Sequence, residues 1–334
     1  MKLLRKILIP FVPVYYFITW LRNKLYDWGI KKSVSYDFPV ICVGNLSAGG
    51  TGKTPMIEYL VNLLKRDYKL ATLSRGYKRK TQGFQLANET STSKTIGDEP
   101  FQFYNKFKNE IYVAVDSDRK NGIDELKRLD KNIDIILLDD AYQHRKVKAG
   151  LNILLTTYQS LYFKDIMLPT GNLREPIRGA ERANVIVVTK CPNNLSELQK
   201  KVISQKIKAV NHEQIYFSSI NYSEKIISEL NTKSIDDLKD FTLVTGIANS
   251  DPLVAFLKSK SLKFEHFNFK DHYDFTEKDI DLLTKKDFIL TTEKDFMRLK
   301  QYETLKEKLF YLPITVKIYD AEKFNNAIIK FVKR

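Results

Sequence analysis

Val40-Ile-Cys-Val-Gly-Asn-Leu-Ser-Ala-Gly-Gly-Thr-Gly-Lys-Thr-Pro55 is the stretch on which the reading of this chain turns. Residues 40–43 form an apolar run of the length of a buried strand. The run breaks into a glycine-rich loop, and Gly52-Lys53-Thr54 opens a helical pattern over 55–66. Strand, small-residue loop and helix in that order are the layout of a phosphate-binding P-loop. Backbone N–H groups of the loop and helix N-terminus converge on phosphate oxygens, the lysine adds a mobile positive charge, and the next hydroxyl can ligate Mg²⁺. Ser47, Ala48, Gly49, Gly50, Thr51, Gly52, Lys53 and Thr54 are therefore the expected nucleotide-binding residues. Ser47 stands where the consensus G-x-x-x-x-G-K-[ST] has its first glycine. A small residue fits that turn, and Gly49 and Gly50 leave the backbone free to take positive φ.

Working outward, short apolar runs alternate with helix-length, polar-patterned segments. Runs at 40–43, 70–73, 111–115, 133–138, 152–155 and 185–188 predict strands. Several are apolar at every residue, as in parallel strands covered on both faces. Helices are expected over 55–66, 98–108, 120–130 and 195–208. The fold class is α/β, a doubly wound, mostly parallel sheet whose site lies beyond the carboxyl ends of its strands. A polar stretch, 211–240, holds a linking strand at 215–220. Runs at 241–245, 264–269, 288–290 and 309–312 then suggest a second, smaller α/β domain. The expected division is 1–32, 33–210, 211–240 and 241–334.

The 334 residues suffice for two domains of about 100–200 residues each. Hydrophobic and charged fractions of 43% and 28% exclude a disordered chain and a full membrane protein. Cys42 and Cys191 lack metal-like spacing and read as reduced core residues. A net charge of +15 calls for an anionic partner. Nucleic acid is the weakest candidate, with no zinc knuckle, RNP-like aromatic motif or basic heptad helix. A membrane surface has local support. The uncharged run 7–21 has 15 residues and contains Pro10 and Pro13, too short and broken to span, since a spanning helix needs about 20. Residues 1–32 carry seven Lys or Arg against one Asp, with Tyr15, Tyr16, Trp20, Tyr26 and Trp28 suited to the headgroup region. The segment either lies in the interface or packs on the protein's own core.

Ile133-Asp-Ile-Ile-Leu-Leu-Asp139-Asp140 is a hydrophobic strand ending in two carboxylates. Beside a P-loop that is the position of an acid holding Mg²⁺, although strand-end aspartates also form plain turns. Gly97-Asp98-Glu99-Pro100 puts two acids at a helix start, where they either cap it or serve as general base and metal ligand. His144 follows the Asp pair closely enough to reach the same site, and His272 lies in Lys270-Asp-His-Tyr-Asp-Phe275. A structural role is the default for isolated histidines, His212 and His266 included. Arg75, in Ser74-Arg-Gly-Tyr77, and Arg174, in Gly171-Asn-Leu-Arg-Glu-Pro176, sit in loops framed by glycine or proline. There they either grip a phosphorylated substrate or are solvated. Thr189-Lys190-Cys191-Pro192 has proline where the Asn-Lys-x-Asp motif has its base-reading aspartate, which argues against guanine.

Taken in order, the P-loop string, Ser74-Arg-Gly-Tyr77, Gly97-Asp-Glu-Pro100, Leu138-Asp-Asp-Ala-Tyr-Gln-His144, Gly171-Asn-Leu-Arg-Glu-Pro176 and Asp271-His-Tyr273 resemble the tetraacyldisaccharide 4′-kinase (lipid A 4′-kinase) family across most of the chain. The resemblance implies ATP-dependent phosphorylation of the 4′-hydroxyl of a tetraacylated glucosamine disaccharide 1-phosphate, at the cytoplasmic face of the bacterial inner membrane. It further implies two α/β domains joined by a short β linker, with Asp98 as base, His272 as its helper and Lys53 on the phosphates. Glu99 and Asp139, with Thr54 and Asp140, would hold Mg²⁺, and Arg75, Arg174 and His144 would meet the substrate. A monomer on the anionic membrane surface is expected. The residues alone leave a rival, a membrane-tethered P-loop NTPase that acts as a regulatory or binding module.

Overall fold

The computed structural model describes residues 5–208 and 214–333. Met1 and Lys2 of the basic N-terminal segment, and His212, lie outside the described residues. The chain builds two sheets. The strands in chain order are β1 (Val40–Asn45), β2 (Leu70–Ser74), β3 (Gln85–Leu86), β4 (Tyr112–Val115), β5 (Ile135–Asp139), β6 (Leu151–Thr157), β7 (Val185–Thr189), β8 (Ile215–Tyr222), β9 (Lys225–Ile227), β10 (Thr232–Ser234), β11 (Phe241–Thr245), β12 (Phe264–Asn268), β13 (Ile289–Thr292), β14 (Leu309–Leu312) and β15 (Ile314–Ile318). The larger sheet has the order β15-β8-β7-β6-β1-β5-β2-β4-β3, parallel from β8 to β4 with one antiparallel strand at each edge. The smaller has the order β10-β9-β14-β13-β11-β12, with β14 to β12 parallel.

The continuous apolar runs end up where such runs must, in strands covered on both faces. Along β1, Val40 and Cys42 enter one core while Ile41 and Val43 enter the other, the two-residue period of a pleated strand. Burial first, then the charge of Asp140, lift the Cys42 thiol to about 12, so it stays an inert core residue. In the larger sheet β1 lies between β5 and β6, and the chain leaves it in opposite directions. The crevice beyond its carboxyl end is where an open α/β sheet binds ligands.

The expected boundary at 241–334 is corrected by the topology. Pro313 carries the chain from β14 straight back into the larger sheet, where β15 pairs antiparallel with β8 from Ile314↔Tyr222 to Ile318↔Ser218. The helix Ala321–Val332 follows it and buries Phe324, Ile328 and Val332 in the core under the P-loop helix. Sequence reading stopped at residue 312 because β15 alternates with exposed Thr315 and Lys317 instead of running apolar. The linking strand expected at 215–220 is β8, a full member of the larger sheet. The smaller sheet is thus an insertion between two neighbouring edge strands.

Near the N-terminus a short 3-10 turn, Ile9–Phe11, leads into α1 (Val12–Asp27), none of whose residues is buried. No helix among the described residues is long and apolar enough to cross a membrane.

Phe324 packs edge-on against Tyr59 and Tyr216 and is fully buried. Phe324→Ala is expected to cost about 3–5 kcal/mol of stability in denaturant unfolding. A loss under about 1 kcal/mol would mean that the returning helix adds little to the first core.

Candidate active site

The loop after β1 is held from three sides. Asn45 Nδ2 donates to Thr51 Oγ1 at 2.8 Å, Thr189 Oγ1 to the Thr51 carbonyl at 2.7 Å, and the Ala48 N–H to the Asn172 carbonyl at 2.7 Å. Gly49 (φ 121°) and Gly52 (φ 89°) take conformations that only glycine adopts cheaply. Gly52 then caps α2 (Lys53–Leu64), so Lys53 and Thr54 open the first turn, where free N–H groups point outward. Ser47 is nearly buried and bridges to Leu173, so the small hydroxyl residue fits the turn.

Register brings the carboxylates to the same edge, since Val43 of β1 is paired with Asp139 of β5. Asp139 is buried. Its Oδ2 accepts from Ser74 Oγ at 3.3 Å, and its Oδ1 has no partner among the described residues. Burial first, then Asp140, push its pKa up to about 7. Asp140 sits in a left-handed backbone (φ 48°) beside Lys53, whose Nζ is 3.7 Å away, and Arg174, whose Nη1 is 3.2 Å from both carboxylate oxygens. Burial raises its pKa, but Lys53 and Arg174 outweigh burial and hold it below the usual carboxylate range.

Arg174 therefore grips an acid of the site, and its Nη2 also binds Asn45 Oδ1 at 3.0 Å. Arg75 is exposed just beyond β2. His144 does not face the acids as expected. Its Nε2 accepts the backbone N–H of Arg119 at 3.3 Å, which commits it to the start of α5 (Arg119–Leu129). Arg119 was not foreseen. Its buried guanidinium donates to the carbonyls of Asp116 (2.6 Å) and Asp139 (3.1 Å), fixing the chain at the acid pair. The Asp116 carbonyl is three residues away, but the bond to Asp139 joins a separate strand, and no sequence pattern at 119 signals it.

Asp98 resolves the choice between cap and chemistry. It is the first residue of α4 (Asp98–Phe107), which follows the single turn α3 (Ser93–Ile96), yet no side chain caps that helix. Its carboxylate instead reaches the smaller sheet. Oδ2 accepts from His272 Nδ1 at 3.1 Å, from Arg298 Nε at 3.0 Å and from Arg298 Nη2. Burial raises its pKa, but the bonds from His272 and Arg298 outweigh that and leave it far below the ordinary carboxylate range. Gly97 makes the approach possible, because a β-carbon there would lie 3.1 Å from Gly76 Cα and 3.2 Å from the Tyr77 carbonyl. His272 comes from the loop after β12 in a left-handed backbone (φ 54°), with the Tyr77 ring edge-on at 5.3 Å. Lys294 Nζ is 2.9 Å from His272 Nε2 and 3.2 Å from Glu99 Oε1. An ammonium can only donate and a carboxylate only accept, so the Lys294 and Asp98 contacts both set the ring proton on Nδ1, and Arg298 Nη2, 3.0 Å from that nitrogen, is bonded to Asp98 and not to the ring.

Lys294 and Arg298 were also unforeseen. They lie four residues apart on α9 (Glu293–Leu299), which starts directly after β13 and follows α6 (Glu197–Lys208), α7 (Asp251–Ser259) and α8 (Glu277–Thr284). Two cations on one helical face just past a strand were the available signal. A second cluster ties the same helices together. Lys106 of α4 binds Glu58 of α2 at 2.6 Å and Glu293 of α9 at 3.2 Å, and Gln102 donates to Glu58 at 2.8 Å.

The remaining predicted residues belong to α1. Tyr15 OH donates to the Arg174 carbonyl (3.0 Å), Arg22 to the Gln143 carbonyl (2.7 Å) and Asn23 to Glu175 (2.8 Å), so the helix is fastened to the loops that carry the site. Its other face is apolar and exposed at Phe11, Val14, Phe17 and Ile18. Between helix and loop runs a groove of ≈ 620 Å³ lined by Leu8, Phe11, Val14, Tyr15, Ile18 and Leu168.

The family model described as tetraacyldisaccharide-1-P 4′-kinase matches residues 4–333. A tetraacyldisaccharide 4′-kinase of Flavobacterium johnsoniae is 50% identical over 341 residues, covering 100% of this chain and 98% of that protein. The one of Bacteroides thetaiotaomicron is 40% identical over 357 residues, covering 99% and 94%. LpxK from Aquifex aeolicus, crystallised in complex with ATP, superposes with a TM-score of 0.78 at 31% identity over 98% of this chain and 99% of that one.

Arg298 lies between two carboxylates, Asp98 and the fully buried Asp295. Arg298→Ala removes the guanidinium shared by the two acids and leaves each only its weaker donors, so a stability loss of about 3–5 kcal/mol is expected. Without the arginine their folded pKa values rise, and the deficit should shrink as pH falls and they protonate. A deficit that grows on acidification would contradict this account.

Proposed function

This chain belongs to the tetraacyldisaccharide 4′-kinase family, and on that premise we propose that it transfers the γ-phosphoryl group of ATP to the 4′-hydroxyl of a tetraacylated glucosamine disaccharide 1-phosphate. The observation that carries the reading is the Asp98–His272 pair, one member opening α4 and the other in the loop after β12 of the smaller sheet. A sugar hydroxyl must give up its proton as it attacks phosphorus, and a carboxylate held ionised at neutral pH is ready to accept it. Its low basicity matters little, because phosphoryl transfer passes through a loose transition state in which positioning and charge neutralisation dominate. His272 orients the carboxylate, while Lys53 and the loop N–H groups hold the phosphates.

Mg²⁺ fits the residues present. The buried Asp139 Oδ1 has no partner among the described residues, and the carboxyl is destabilised by burial beside a second acid, a state that a cation relieves. Among the described residues no three Asp, Glu, His or Cys side chains form a complete cage. That suits an ion held by one or two carboxylates, water and substrate phosphates. Thr54, Asp139, Asp140 and Glu99 are the residues that would hold it. Bound there, it would neutralise charge on the β- and γ-phosphates.

We further propose that α1 lies in the interface of the inner membrane, at the cytoplasmic face where ATP is available. The exposed apolar face, the net charge of +15 and the apolar groove beside Arg174 all support an acyl-bearing acceptor presented from a bilayer. A site completed by two lobes of one chain needs no second copy, which supports a monomer.

Incubation with labelled ATP, Mg²⁺ and the disaccharide 1-phosphate should yield a bis-phosphorylated lipid. Label released only as inorganic phosphate would point to an NTPase without an acceptor. Asp98→Ala should keep ATP binding and lose about 10²–10⁴-fold in turnover; near-wild-type turnover would remove Asp98 from the role of base. Replacing Phe11, Phe17 and Ile18 by serine should weaken partitioning into anionic vesicles by about tenfold or more without lowering the melting temperature. Unchanged partitioning would refute the interfacial placement.

A further inference from the structure

Lys53 is not the only ammonium group at the loop. β7 ends at Thr189, whose hydroxyl holds the Thr51 carbonyl, and Lys190 follows in a left-handed backbone with φ 55°. A non-glycine residue in that region carries strain and persists only where its surroundings fix it. The turn lays the side chain over the P-loop. A β-carbon built on Gly50 would lie 3.8 Å from Lys190 Nζ and 4.0 Å from Ala248 Cβ, which belongs to the loop after β11 in the smaller sheet. Lys190 thus stands where the two lobes meet above the loop. Part of it is open to solvent, yet enough protein surrounds it that burial lowers its pKa. Asp271 opposes that shift, and the like charge of Lys53 adds to it.

The distance at Gly50 places the ammonium over the phosphate loop. Lys53 marks the phosphate end of the site, and Asp271 precedes His272, the residue paired with the proposed base. Among the described residues the charges that act on it are one carboxylate and a second lysine, a local excess of positive charge that an anion at the loop neutralises. We propose that Lys190 is a second phosphate-contacting cation of the nucleotide site, one that distinguishes the terminal phosphate of ATP. The inference rests on the reading of residues 47–54 as an ATP site. Its Nζ lies over the phosphate loop, 3.8 Å from where a β-carbon on Gly50 would stand, and the charges of Lys53 and Asp271 act on it there.

Calorimetric titration of the full chain and of Lys190→Ala and Lys190→Arg with Mg-ATP, Mg-ADP and AMP tests this. Lys190→Ala should weaken ATP by about tenfold or more, ADP by less and AMP not at all, as expected when one charge-assisted contact is lost. Lys190→Arg should stay within a few-fold of the parent for all three. Unchanged AMP binding also shows that the variant keeps its site folded. Equal loss for all three nucleotides would place Lys190 on the base or ribose and overturn the proposal, as would no loss for any. Failure of the unaltered protein to bind Mg-ATP would instead bring down the underlying ATP reading, and the proposal with it.

Discussion

A carboxylate that leaves water needs partners, and the meeting of the two sheets is organised around satisfying one. Asp98 stands at the start of α4 with the helix N-terminus beneath it, but its charge is met by His272, Arg298 and, through the imidazole, Lys294. These come from the loop after β12 and the helix after β13, so the carboxyl edge of the smaller sheet must face that of the larger. Moving the sheets apart would strip a half-buried anion of its donors and leave Arg298 facing only Asp295. The energetic asymmetry of buried pairs makes that separation costly even where forming the pair gains little.

The same helix carries a second constraint at its other end. Lys106 sits between Glu58 of the P-loop helix and Glu293 of α9, and burial and Glu58 push Glu293 up to about 7. Phe101 and Ile96 share an apolar core with Val244, Ile289 and Phe296 of the smaller sheet. α4 therefore touches the phosphate loop's helix on one side and the acceptor side of the site on the other. A displacement of either lobe reaches Asp98 through packed side chains, which leaves little freedom for the carboxylate to drift from its register.

How much of this was legible in the sequence depended on the range over which each residue acts. The P-loop could be read because its chemistry is local: glycines, lysine and threonine work through the backbone they belong to. Asp139 and Asp140 were legible for a similar reason, since a strand ending in acids next to that loop has one natural destination. Arg119, Lys294 and Arg298 were not, because the bonds that tie them to the acids or to His272 reach across 20, 22 and 200 positions of the chain. His144 misled for the opposite reason. Its proximity to the acid pair in sequence suggested a shared site, whereas the turn points its ring at the next helix. β15 escaped notice because an edge strand with one wet face lacks the solid apolar run that marked its neighbours.

The insertion of the smaller sheet between β8 and β15 has a consequence for how the chain comes to be folded. β8 has no outer neighbour, and the P-loop helix no cover from Phe324, Ile328 and Val332, until residues 314–332 have been made. The nucleotide-binding half is thus begun first and completed last, after an entire second unit has formed in the interval. Contacts that span such separations are closed late and at an entropic cost. During synthesis the waiting edge of β8 is an unpaired strand that invites wrong partners. Premature termination anywhere in the smaller sheet would therefore damage the half of the protein that was made before it.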